Sequence, residues 1–136
     1  MLRVLIVLNL LLFQDGEPKV VSIPIDDPTY TVLTSLDTKE YYESSSFYLM
    51  IHNKMNPPGS AGGGSHDITR SFYLVISDND DDPKRSVFEI GPFLSPKIKE
   101  IREAKDLIEI DIDHYWNEER TIKTIVVGHH SVVLRN

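Results

Sequence analysis

Cysteine is absent from this chain. Disulfides, thiolate nucleophiles, cysteine-ligated zinc and lipid attachment through a thiol are therefore excluded. The absence does not fix a compartment. Basic residues are also few: 14 Lys and Arg stand against 21 Asp and Glu, a formal net charge of −7. Proteins that hold nucleic acid nonspecifically gather cations against its phosphates. The nearest such group, Lys97, Lys99, Arg102 and Lys105, is interrupted by Glu100 and Glu103. Nucleic acid is not an expected partner.

Long apolar runs are missing as well, apart from residues 1–13, MLRVLIVLNLLLF. That stretch is too short to span a bilayer comfortably, so no integral membrane span is expected. Arg3 followed by ten residues, nine of them apolar, has the build of a signal peptide. The polar run 14–19 follows it, but no small-x-small pair precedes Gln14. The other reading is a buried first strand, LRVLIVL. Signal peptide implies a periplasmic or extracellular protein; strand implies a cytoplasmic one. Residues 14–136 then make a single domain, as a chain of 136 residues suits.

What is present is period-two alternation. In residues 70–93, Phe72, Leu74 and Ile76 point one way on an extended chain and Tyr73 and Val75 the other. Both faces are apolar, so this strand is expected to be covered on both sides. Residues 107–115, LIEIDIDHY, set Ile108, Ile110 and Ile112 against Glu109, Asp111 and Asp113, with one face buried and one wet. Trp116 is in phase with the isoleucines. Further strands are expected at 19–25, with Pro24 marking an edge, and at 30–36, 46–52, 86–90, 121–127 and 131–134. Asp26-Asp27-Pro28, 117–120 and 128–130 read as turns, and 37–45 as a polar stretch with room for a helical turn around Tyr41 and Tyr42. Residues 95–105 fit two readings equally, a short helix capped by Ser95 or a strand. The sum is a mainly β, antiparallel β-sandwich, immunoglobulin-like or jelly-roll, with at most a short helix near 95–105. Ser46–His52 repeats Ser71–Ser77 at five of seven positions. Two core strands using the same β-formers account for that more simply than an internal duplication.

Three groups of residues carry possible chemistry. Asp78, Asp80, Asp81 and Asp82 form an acidic loop that offers oxygens to a hard cation such as calcium. The spacing of Asp78, Asp80, Asp82, Ser86 and Glu89 matches a calcium loop, yet Pro83 stands where the sharp turn needs glycine. A loop of solvated charges is the simpler account. Glu109, Asp111 and Asp113 form a carboxylate row, with successive members about 7 Å apart. A hydrolase could draw on such a row only if the environments split the pKa values. Cross-strand Lys or Arg, Lys123 among them, are the expected partners. The histidines come third. His129 and His130 face opposite ways on a strand but can converge in a turn, so zinc would need His66, His114, His129 or His130 to meet a carboxylate through folding.

The Gly- and Pro-rich segment 53–67 is expected to be a loop and a contact surface through Asn53, Gly62, Gly63, Gly64 and His66. Gly62-Gly63-Gly64 lacks the residues of a phosphate cradle. The expectation for function is a non-enzymatic binding or assembly module of an exported protein, meeting a protein or glycan partner, with no obligate cofactor and no catalytic set. The alternatives are a calcium-dependent domain for a ligand such as carbohydrate and a hydrolase using the strand carboxylates.

Overall fold

The computed structural model describes residues 17–36, 40–57 and 68–136. The apolar stretch 1–13 and most of the Gly-rich loop lie outside the described residues. The chain is mainly β and antiparallel. The strands are β1 (Lys19–Ile23), β2 (Tyr42–Glu43), β3 (Phe47–Met55), β4 (Thr69–Asp78), β5 (Arg85–Glu103), β6 (Ile108–Trp116), β7 (Glu119–Gly128) and β8 (Ser131–Arg135). A helix, α1, covers Pro28–Ser35.

From β2 to β8 the strands pair in chain order, and β1 adds to β5. The strand that makes this possible is β5. Its first stretch pairs with β4 on one edge and with β1 on the other. At Leu94 the second edge passes to β6, which pairs as far as Glu103. The change falls where the backbone is irregular: Gly91 has φ 149°, Ser95 has φ 47°, and the register shifts between Leu94 and Lys97. Bulges of this kind bend a strand. The two parts of β5 therefore belong to two halves, one carrying β1 to β4 and the other β6 to β8.

The halves enclose one core. Phe47, Leu49, Phe72, Leu74, Ile76, Ile90 and Phe93 from the first pack with Ile108, Ile110, Ile112, Ile125 and Val127 from the second. Each buried Ile or Phe contributes about 1.5–3 kcal/mol, so this cluster outweighs any surface pairing. The circuit is tied at its edges, where β8 comes up against β1. The backbone N–H and hydroxyl of Ser45 both donate to the carbonyl of Lys105, at 3.0 and 2.6 Å.

The expectation that residues 70–77 are covered on both sides holds. Phe72, Leu74 and Ile76 enter the main core, whereas Val75 and Tyr73 meet Leu33, Val87, Met50, Ile23 and Tyr30 under α1. The expected strand at 30–36 is instead this helix. Asp27 caps it, its carboxylate accepting from the Thr29 N–H at 2.8 Å, and Pro28 takes the first helical position. The Thr34 hydroxyl donates to the Tyr30 carbonyl at 2.8 Å, which satisfies a β-branched residue inside a helix. The cap and the burial of Leu33 override the β propensity of Thr31, Val32 and Thr34.

Of the two readings open for 95–105, the strand is the one formed, because β6 offers partners along it as far as Glu103. The near-repeats at 46–52 and 71–77 are two core strands, as expected, and adjacent antiparallel partners, Leu49 opposite Ile76 and Ile51 opposite Leu74. Two further expectations are corrected: Tyr42–Glu43 is the short strand β2 rather than a helical turn, and Asn53 belongs to β3 and not to a loop.

Gly91 is required where β5 bends. A Cβ there would stand 2.9 Å from the Ser71 Cα, on a backbone conformation that side chains rarely adopt. Gly91→Ala is expected to lower the unfolding free energy by about 2–3 kcal/mol in urea titrations. A second prediction concerns the N-cap: Asp27→Ala should cost about 1 kcal/mol, read in the same titrations.

Candidate functional site

Alternation along four elements brings polar residues to one rim of the core. On β4 the inward row Phe72, Leu74, Ile76 continues to Asp78, and on β5 Ser86 precedes the inward-packing Phe88 and Ile90. β7 and β8 join through a two-residue turn, with Gly128 opposite Ser131. His129 follows the inward row Ile125–Val127, and His130 leads into the row Val132–Leu134. Because the chain reverses between them, adjacent histidines fall on the same side. His130 sits at φ 56°, a left-handed conformation that His adopts more readily than β-branched residues do.

The three groups converge. The Nε2 atoms of His129 and His130 each lie 2.5 Å from Oδ1 of Asp78. The imidazole planes are tilted, with ring centres 4.5 Å apart. Ser86 Oγ lies 2.6 Å from Nδ1 of His130. The other Asp78 oxygen accepts from the Lys84 N–H at 3.3 Å. The carboxyl of Asp78 is held below its ordinary pKa, first by the hydrogen bond from His129 and then by His130 and the Lys84 N–H, against the opposing effect of desolvation. Asp78 and His130 are largely covered and His129 is half exposed.

The remainder of the acidic loop does not join this group. Asp80, Asp81 and Asp82 are exposed, and Asp80 accepts from the Asp81 N–H at 2.6 Å. Among the described residues, Asp78, His129 and His130 are the set of three or more acidic or imidazole donors that comes within 4.8 Å. Arg85 turns away and donates to the Thr34 carbonyl near the end of α1 at 2.9 Å. Thr69 and Asp78 stand at opposite ends of β4, about 30 Å apart by strand rise. Of the expected contact residues, Asn53 is exposed on β3. Gly62, Gly63, Gly64 and His66 lie outside the described residues.

The carboxylate row is on the wet face, as its alternation implies, and arginines cover it. Arg102 reaches across from β5 to Glu109 at 2.9 Å and Asp111 at 2.5 Å, and Arg120 pairs with Asp113 at 2.9 Å. Lys123, the expected partner, instead donates to Asn136. Arg102 holds Glu109 below its ordinary pKa and, with the Thr124 hydroxyl, brings Asp111 to about 2. A general acid needs the opposite shift.

His114 is in phase with the isoleucines and wholly buried, edge-on to Phe93 with ring centres 5.1 Å apart. Its Nδ1 faces the Tyr115 carbonyl at 3.3 Å, and its Nε2 has no partner among the described residues. It plays no part in the rim cluster. Sequence reasoning placed Ser86 only in a calcium-loop spacing and named neither Arg102 nor Arg120 as a partner of the carboxylate row. In comparisons with family models, curated proteins and solved structures, nothing matches this chain.

Two titrations check these environments. In Arg102→Met, the Asp111 carboxyl resonance should titrate nearer the ordinary 3.8 than about 2. The stability tied to that depressed value is present above pH 4 and lost as pH falls toward 2. Burial lowers the pKa of His114 from 6.5. The unfolded chain then binds a proton that the folded one refuses, so its contribution is full above pH 6.5 and shrinks as pH falls. Melting temperature should drop between pH 7 and 5 in the wild type, and less steeply in His114→Leu.

Proposed function

We propose that this chain is a non-enzymatic binding module that meets a partner protein through the end of the sheet bearing the acidic turn. The observation that carries this is the arginine cover over Glu109, Asp111 and Asp113, which leaves the row ionised and unsuited to acid–base work. Surface features at the same end support contact. Tyr41 and Tyr48 meet edge to face at 5.0 Å and line an open cavity of about 250 Å³ with Met50 and Ser77. The Tyr48 hydroxyl donates to Asn79 of the acidic turn at 3.0 Å. Exposed tyrosines beside polar groups are favoured in protein interfaces, since they bring apolar area and a polar tip together. No helix among the described residues is long and apolar enough to cross a membrane.

The reading includes export, supported by the charge and apolar run of residues 1–13. Intact mass of the protein from its native host should show their removal.

Quantitative capture from native-host extract tests the binding surface. The wild type should enrich a partner that Tyr41→Ala/Tyr48→Ala loses and Arg135→Ala retains. Capture indifferent to the tyrosine pair, or turnover of a hydrolase substrate panel that vanishes in Asp111→Asn, would contradict the reading.

A further inference from the structure

We propose that Asp78, His129 and His130 form a binding site for one divalent transition-metal ion of the zinc class. The inference goes beyond the binding-module reading and does not depend on it. Two imidazoles and one carboxylate are the donor set of borderline metals; calcium, which takes oxygen ligands, is a poor match. Three donor atoms from three inward rows already lie within 4.8 Å of one another. Three protein ligands leave the fourth tetrahedral position to water.

The arrangement without metal is closed by hydrogen bonds. Asp78 Oδ1 accepts from both Nε2–H groups, and when the His130 ring is neutral the Ser86 hydroxyl donates to its Nδ1. Binding needs a lone pair on each Nε2, so each imidazole must hold its proton on Nδ1. For His130 that proton then points at Ser86 Oγ, which changes from donor to acceptor. Ser86 thus serves either tautomer and holds the ring in place, as outer partners of metal-bound histidines do. The donors must also spread. Ligands about 2.0–2.2 Å from zinc stand about 3.3 Å apart at a tetrahedral angle, against 2.5 Å here. His129, with 53% of its side chain exposed, is free to make most of that movement.

The site draws on both halves of the fold. Asp78 and Ser86 come from the β4–β5 hairpin, and the histidines from the β7–β8 turn. A bound ion would therefore cross-link the two layers at the rim.

Titration of the full chain with zinc chloride, followed by calorimetry, and with cobalt chloride, followed by its visible absorption, tests the proposal. We expect one zinc per chain and a tetrahedral cobalt spectrum. His129→Ala and His130→Gly should each weaken zinc binding at least tenfold, and Ser86→Ala about tenfold. Glycine suits the left-handed backbone at position 130, so that variant keeps the hairpin. Asp80→Asn/Asp81→Asn/Asp82→Asn should bind as the wild type does, and millimolar calcium should not displace zinc. Absence of stoichiometric binding, undiminished binding in His129→Ala/His130→Gly, or displacement by calcium would overturn it.

Discussion

One strand has to serve both halves of the sheet. β5 gives its first stretch to β4 and β1 and its second to β6, and every other placement follows from that division. The bend needs a residue without a side chain at Gly91, pressed against Ser71, and left-handed backbone at Ser95. Once β5 turns, the isoleucines of β6 face the phenylalanines and leucines of β3 and β4, and water is expelled from between them. The hydrophobic term is the large one here. Exposed ion pairs contribute about 0–1 kcal/mol each, a fraction of what one buried isoleucine supplies.

Polar chemistry is then confined to the places where inward rows run out. At one rim Asp78, Ser86, His129 and His130 lie at the ends of such rows and meet because the two halves pack on one core. On the outer face Arg102 and Arg120 reach across to the carboxylates of β6. These two arrangements differ in kind. The outer one is a set of surface pairs that keeps charges apart in water. The rim one brings both imidazoles of the β7–β8 turn onto one carboxylate oxygen of β4, which sets it apart from the more acidic loop next to it.

Much of this was legible. The alternation of residues 107–115 predicted the buried isoleucines and the wet carboxylates, and the two apolar faces of residues 70–77 predicted a layer on each side. Alternation carries no information about order, so the non-consecutive pairing of β1 with β5 had no signal in the chain. At 30–36 β-branched composition pointed to a strand. The cap pair Asp27-Pro28 was the contrary signal, read only as a turn. The histidine pair shows the limit of period two most clearly. Neighbours face opposite ways along a strand but the same way across a two-residue hairpin, and Gly128 ahead of them marked that turn. The same parity carries His114 inward with Ile108, Ile110 and Ile112, a signal masked by the expectation that histidines stay at or near the surface. That Arg102 rather than Lys123 meets the carboxylate row depended on the register between β5 and β6, which residue types do not encode.

The two halves share one core and one strand, so neither opens without the other. Native-state hydrogen exchange across a denaturant series measures this directly. The slowest amides of β4 and of β6 should exchange with the same free energy and the same denaturant dependence, merging into one global opening. Exchange of β6 to β8 at a distinctly lower free energy, with β3 and β4 still protected, would contradict the account.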